Sequence, residues 1–182
     1  MALQLLFRQL KSVFLGMFFC LICSLPALAG DWSVLVGAGG GDCETVTADL
    51  SVRYTFRSFY TNRVLEVSPL LEGSFTYWHH NLDDDELGGG ISGGLQIVFS
   101  REGIWRPYIS GTFGGFLISD DEFGTHNLGG SFQFRSKGAV GIQFGRTYRH
   151  RIQLNAAHFS NAGIYNRNTG FNSYGITWGF RF

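Results

Sequence analysis

His158 and Ser160 are separated by a single residue, and Asn172 stands at the start of the last extended segment of the chain. In a β-strand, side chains at i and i+2 share a face with their Cα atoms about 7 Å apart. At that spacing an imidazole reaches a hydroxyl and can take its proton, which is the activation a serine nucleophile needs. A third group on a neighbouring strand can hold the imidazole in the tautomer that leaves its other nitrogen free. His-x-Ser occurs often by chance, so its weight depends on the face where the strand carries it. Ile152, Leu154, Ala156, His158 and Ser160 share one parity, and Arg151, Gln153, Asn155 and Ala157 share the other. Asn172 is in line with Tyr174, Ile176 and Trp178. Three polar side chains therefore interrupt two apolar stripes.

The elements that must position them alternate with a period of two. Val46, Ala48, Leu50, Val52, Tyr54 and Phe56 lie on one face of a strand, opposite Thr47, Asp49, Ser51, Arg53 and Thr55. Further strands are predicted over Trp32–Ala38, Val64–Tyr77, Leu87–Phe99 and Trp105–Phe116. Gly111, Gly114 and Gly115 suit tight curvature or a crowded interior. Segment 127–146 reads either as one long strand or as a hairpin turning at Ser136-Lys137-Gly138. Phe132, Phe134, Val140, Ile142 and Phe144 keep even parity throughout, which favours one strand. Strands over His150–Ser160 and Asn172–Phe182 then bring the total to eight, and bacterial single-chain membrane barrels have even counts. The last strand carries Tyr174, Ile176, Trp178, Phe180 and Phe182 on one stripe. Its aromatic end resembles the C-terminal signature by which the outer-membrane assembly machinery recognises its barrels.

Composition agrees with an all-β, eight-stranded antiparallel transmembrane barrel of the outer membrane. The chain has 182 residues with 26 Gly, 3 Pro, 16% aromatic and only 15% charged residues. Soluble domains carry about a quarter charged side chains, yet nothing after the leader offers the roughly 20 consecutive apolar residues of a membrane helix. Residues 1–29 read as a signal peptide, with Arg8 and Lys11 ahead of the apolar run Val13–Leu25 and a small-x-small site at Ala27-Leu28-Ala29. Residues 30–182 are then the barrel domain. Formal charge is zero for the whole chain, and losing Arg8 and Lys11 makes it −2. No basic field remains for nucleic acid, and the apolar fraction of 45% excludes a disordered chain. Cys20 and Cys23 leave with the leader, so Cys43 has no partner for a disulfide or a thiolate metal site.

With the N-terminus in the periplasm, odd strands run outward, and the outer loops fall at 39–44, 79–86, 118–126 and 161–171. The shorter turns fall near 57–63, 100–104 and 146–150. An eight-stranded barrel is filled by its own side chains, so function is expected on the loops or the outer wall rather than in a pore. His158, Ser160 and Asn172 then sit near the outer leaflet, where a polar group on the lipid face costs only about 0–1 kcal/mol. His79-His80 with Asp83-Asp84-Asp85-Glu86 matches no compact ligand set and reads as a solvated loop, as does Asp120-Asp121-Glu122. Arg146, Arg149, His150 and Arg151 read as a wet turn. Trp32, Tyr77, Trp78, Trp105, Tyr108 and Trp178 read as interface girdle residues. Neither metal nor cofactor is expected.

His158-Phe159-Ser160-Asn161-Ala162-Gly163, followed by Asn168-Thr169-Gly170-Phe171-Asn172, resembles the C-terminal signature of the PagL-type lipid A 3-O-deacylases. The resemblance implies an outer-membrane barrel that hydrolyses the ester-linked acyl chain at position 3 of lipid A, with lipopolysaccharide of the outer leaflet as its partner. It assigns Ser160 as nucleophile and His158 as general base, with Asn168 and the backbone at Gly163 on the oxyanion. Asn172 occupies the position where the family pattern has an acid, and the nearest acids along the chain are Asp120, Asp121 and Glu122. Asn can orient an imidazole but brings no charge. The competing reading, for which Asn172 speaks, is a non-enzymatic structural or adhesin-type barrel, or an inactive homologue, that binds through loops 79–86 and 118–126. Esterase action on phospholipid is a third reading, and a homodimer stays open. On sequence alone, Asn172→Asp or Asn172→Glu is expected to preserve or raise the rate of lipid A deacylation, and a sharp loss in that assay would give Asn172 a role that charge cannot fill.

Overall fold

The computed structural model describes residues 30–80, 85–99, 103–123 and 125–182. The leader at 1–29 and the acids Asp83 and Asp84 lie outside the described residues. The eight long strands, numbered in chain order, are β1 (Gly30–Gly41), β2 (Thr45–Phe56), β3 (Leu65–His79), β4 (Glu86–Phe99), β5 (Trp105–Ile118), β6 (Phe132–Phe144), β7 (His150–Ser160) and β8 (Phe171–Arg181). Each pairs antiparallel with its sequence neighbour, and β1 pairs with β8, for example Val36 with Trp178 and Gly41 with Ser173. The sheet is a closed up-and-down barrel without a free edge, as the period-two pattern predicts. β6 is one continuous strand, and Ser136-Lys137-Gly138 lies in its middle, paired to Phe113, Thr112 and Gly111 on β5.

The barrel is inside-out relative to a soluble protein. Leu50, Leu71, Phe75, Ile91, Phe113, Leu154 and Ile176 face outward and are exposed. Ser51, Arg53, Glu72, Gln96, Gln133, Arg135, Arg151 and Gln153 are buried in the lumen. Such a distribution is stable only when the surrounding solvent is apolar. At the centre, Glu72 Oε2 accepts from Arg53 Nε at 3.0 Å and Nη2 at 2.6 Å. Its Oε1 accepts from Arg135 Nη2 at 3.2 Å and Lys137 Nζ at 3.0 Å. Four strands (β2, β3 and β6 with Ser92 of β4, which accepts from Arg135 at 3.1 Å) are thus tied through one carboxylate. Among the described residues these side chains fill the middle of the lumen, and a cavity of about 310 Å³ lined by Glu66, Ser68, Gln96, Arg106, Gln143 and Arg151 opens below them.

Several expectations change: Arg151 is buried in the lumen rather than in a wet turn, and His80 is buried against Phe123 rather than in a solvated loop. Trp78 and Tyr108 do not join the membrane girdle: Trp78 is fully buried under the loops, and Tyr108 donates its hydroxyl proton to Gln153 Oε1 at 2.8 Å inside the barrel. Both lie on the lumen parity, which counts for more than aromatic type. Trp105 and Trp178 do face outward. Among the glycines of β5, Gly114 meets the crowded-interior expectation, since a Cβ there would collide with the Ile91 carbonyl, whereas a Cβ at Gly111 would meet open space.

Above the ionic layer, at the end of the barrel that carries the 161–170 loop, Trp78, Phe116, Ile118, Phe123, Leu128, Phe159 and Phe171 form an apolar plug. Phe159 and Phe171 stack at 4.5 Å and 6° between planes, and Phe123 stacks on Phe171 at 3.8 Å. The ionic layer below predicts that Glu72→Ala, by leaving three buried cations without their common partner, destabilises the barrel by about 3–5 kcal/mol. Urea unfolding of the refolded barrel in lipid vesicles reads this directly, and an unchanged midpoint would contradict it.

Candidate active site

Because Phe159 and Phe171 point into the plug, their neighbours His158, Ser160 and Asn172 point outward by strand alternation. His158 and Asn172 are register partners across β7 and β8. His158 Nδ1 and Asn172 Oδ1 are 2.9 Å apart. An amide oxygen only accepts, so Nδ1 is the donor in this contact. Ser160 is the last residue of β7, half-buried, on the same outer face as His158. Its register partner Phe134 on β6 stacks on Phe113 at 5.5 Å and 11°, a flat aromatic ledge beside the hydroxyl on the outer wall. His158 and Asn172 are thus in contact, while Ser160 lies two residues further along the same outer face, with no hydrogen bond to His158 among the described residues.

The loop after β7 is built around Asn161, which is fully buried. Its Nδ2 donates to Leu128 O at 2.7 Å and Arg167 O at 2.6 Å. Its backbone N–H donates to Asn168 Oδ1 at 3.0 Å, which turns the NH2 of Asn168 the other way. Gly163 has φ +82 and its N–H donates to Asn161 Oδ1 at 2.8 Å. That donor is committed within the turn, so this geometry does not present Gly163 N–H to an oxyanion. Ala162, at φ +53, is a non-glycine residue in the left-handed region two residues after the serine, the kind of stored strain that accompanies functional turns. The loop is also tied to the neighbouring connection, where His126 Nδ1 lies 2.8 Å from Gly170 O and Thr169 Oγ1 donates to Asn127 O at 3.1 Å.

Sequence reasoning missed Asn161 and Asp42. Asn172 N–H and Nδ2–H both donate to Asp42 Oδ2, at 2.7 and 3.0 Å. The acid beside the site therefore comes from the turn between β1 and β2, and the sequence-adjacent Asp120, Asp121 and Glu122 have no bond to His158 or Asn172 among the described residues. The pairing of Gly41 with Ser173 across the barrel seam is the signal that could have found it, since residue 42 then falls beside 172. The expectation that Asn172→Asp alone preserves or raises activity changes accordingly, because it would bring two carboxylates together. His79 pairs instead with Asp85 at 2.7 Å in its own loop, where Tyr77 also donates to Asp85.

A closed barrel with a polar lumen and an apolar wall defines the class of outer-membrane β-barrels, and here that wall carries His158 and Ser160. The profile of the lipid A 3-O-deacylase (PagL) family matches residues 46–181. A lipid A deacylase PagL of Pseudomonas aeruginosa is 29% identical over 153 residues, covering 82% of this chain and 85% of the relative. A lipid A deacylase PagL of Bordetella bronchiseptica is 35% identical over 77 residues, 42% of each chain. The crystal structure of the outer membrane enzyme PagL superposes with a TM-score of 0.74 at 21% identity, covering 81% of this chain and 98% of the other. The chain belongs to the lipid A 3-O-deacylase (PagL) family and is an outer-membrane β-barrel.

Gly170, at φ +63, lies against the imidazole: a Cβ there would sit 2.9 Å from Phe159 O and 3.3 Å from His158 Cε1. Gly170→Ala is therefore expected to fold but to displace the ring, slowing ester hydrolysis on the order of 10- to 100-fold. Kinetics on refolded protein with normal heat-modifiable gel mobility check this, and a wild-type rate would show that the ring tolerates the push.

Proposed function

We propose that the protein is a serine esterase of the outer membrane that removes the ester-linked acyl chain at position 3 of lipid A. The observation that carries this reading is the His158–Asn172 hydrogen bond beside Ser160 on the lipid-facing wall of a member of this family. An acyl ester of lipid A lies just beneath the headgroups, within reach of the wall and out of reach of a packed lumen.

Ser160 Oγ attacks the ester carbonyl carbon while its proton passes to His158 Nε2. The tetrahedral oxyanion is met by the NH2 of Asn168, a contact of a kind worth about 10²–10³ in rate. Gly163 serves by shaping the turn. Collapse breaks the bond between the acyl carbon and the sugar oxygen, which takes the proton from His158. Water then attacks the acyl-serine with His158 as base, releasing a free fatty acid and restoring Ser160. During the reaction the acyl chain lies along Phe134 and Phe113 and down past Ala156 and Leu154, all on the outer face. Export is read as cleavage after Ala29, and the stripe ending at Phe182 as the handle for the assembly machinery.

Mass spectrometry of lipid A from a deacylase-free Gram-negative host expressing the protein tests the reading. Loss of one hydroxyacyl chain is expected with the wild type and not with Ser160→Ala, which folds normally. Unchanged lipid A with shortened phospholipids would move the substrate to phospholipid, and equal deacylation by Ser160→Ala would sink the mechanism.

A further inference from the structure

The serine-and-histidine reading above leaves one charged group at the site without a role. Asp42 lies in the turn Asp42–Glu44, where Cys43 and Glu44 both have positive φ and Thr45 Oγ1 donates to the Asp42 carbonyl at 3.1 Å. One oxygen of its carboxylate receives two donors from the same residue, the backbone N–H and the side-chain NH2 of Asn172. We propose that Asp42 is a positioning residue: it locks the Asn172 amide with its oxygen toward His158 and supplies, through that amide, the negative charge that an acid at position 172 would place on the imidazole directly.

The chemistry of the amide makes the lock directional. An Asn beside a His can turn either end toward Nδ1. With the NH2 toward Nδ1, the proton is driven to Nε2, and His158 can no longer take the serine proton. That wrong tautomer is the main reason why Asn in place of the triad Asp costs about 10⁴ in rate in a trypsin-type enzyme. Here the flipped amide would set its oxygen against the Asp42 carboxylate, oxygen to oxygen, and lose the 3.0 Å hydrogen bond. The carboxylate thus selects the orientation in which Oδ1 accepts from Nδ1–H. When His158 becomes an imidazolium, the polarised chain from Asp42 through the Asn172 amide stabilises it. No proton leaves Nδ1 along this chain, because the amide nitrogen is already a donor and cannot accept one.

The inference rests on Ser160 and His158 acting as proposed above, so the experiment separates the two. Refolded full-length protein is assayed for kcat and KM on lipopolysaccharide, and for the rate at which an alkyl fluorophosphonate labels Ser160. Asp42→Ala is expected to lower kcat about 10²- to 10⁴-fold and to slow labelling in parallel, with KM changed less than about threefold. The double variant Asp42→Ala/Asn172→Asp is expected to recover most of the rate, since its carboxylate meets Nδ1–H directly. Asn172→Asp alone is expected to be slower than that double variant, because two carboxylates then share the site. If Asp42→Ala loosens the turn, Asp42→Asn, which keeps an acceptor oxygen, and its pairing with Asn172→Asp carry the same comparison. A wild-type kcat in Asp42→Ala, or a folded double variant no faster than the single, overturns the proposal. Labelled Ser160 with untouched lipid A would instead overturn the substrate reading, while the labelling rates still decide the role of Asp42.

Discussion

Phe159 and Phe171 stack face to face inside the barrel, and the outer wall at that level is organised by this contact. In a strand, fixing one side chain inward fixes both neighbours outward. The stack therefore sets His158 and Ser160 on one strand and Asn172 on the next to the lipid side in a single step. Trp78 and Phe123 pack on the same rings, so the contact is buried on every side and cannot slide. A shift of β7 against β8 by one residue would break the stack and move the imidazole into the plug. A site on strands, pinned from behind, is more rigid than one built on loops alone.

The inside-out arrangement explains why the lumen has to be so elaborate. A membrane barrel gains little from hydrophobic contact between its wall and lipid tails once inserted. Its internal order must come from the polar filling, and Glu72 with Arg53, Arg135 and Lys137 ties the strands from within. The filling stops where the apolar plug begins. The barrel thus has an ionic layer at mid-height and an aromatic layer under the loops, and the candidate chemistry sits on the wall of the second.

Much of this was legible because parity survives without any knowledge of contacts. The eight strands, the single run of β6 through Ser136-Lys137-Gly138, and the outward direction of His158, Ser160 and Asn172 all follow from alternation. Trp78 and Tyr108 misled because residue type suggested the membrane interface while their parity already pointed inward. Asn161 looked like part of a motif and not the buried centre of its loop, since its hydrogen bonds to Leu128, Arg167 and Asn168 depend on how the chain returns. Asp42 stayed hidden for a related reason. It lies far from Asn172 along the chain, and only the seam between the first and last strands makes them neighbours.

That seam also bears on when the site exists. His158 and Ser160 come with β7, and Asn172 joins once β8 pairs with it, so a hairpin could gather all three. Asp42 arrives only when β1 closes on β8. With an acid at position 172 the charge would be present in the open hairpin. With Asn172 it is supplied across the pairing of β1 with β8, and without that pairing the amide is free to present either end to the imidazole. On the proposed mechanism the required tautomer is thus coupled to barrel closure: a chain still open at the seam carries both His158 and Ser160 but not the contact from Asp42 to Asn172.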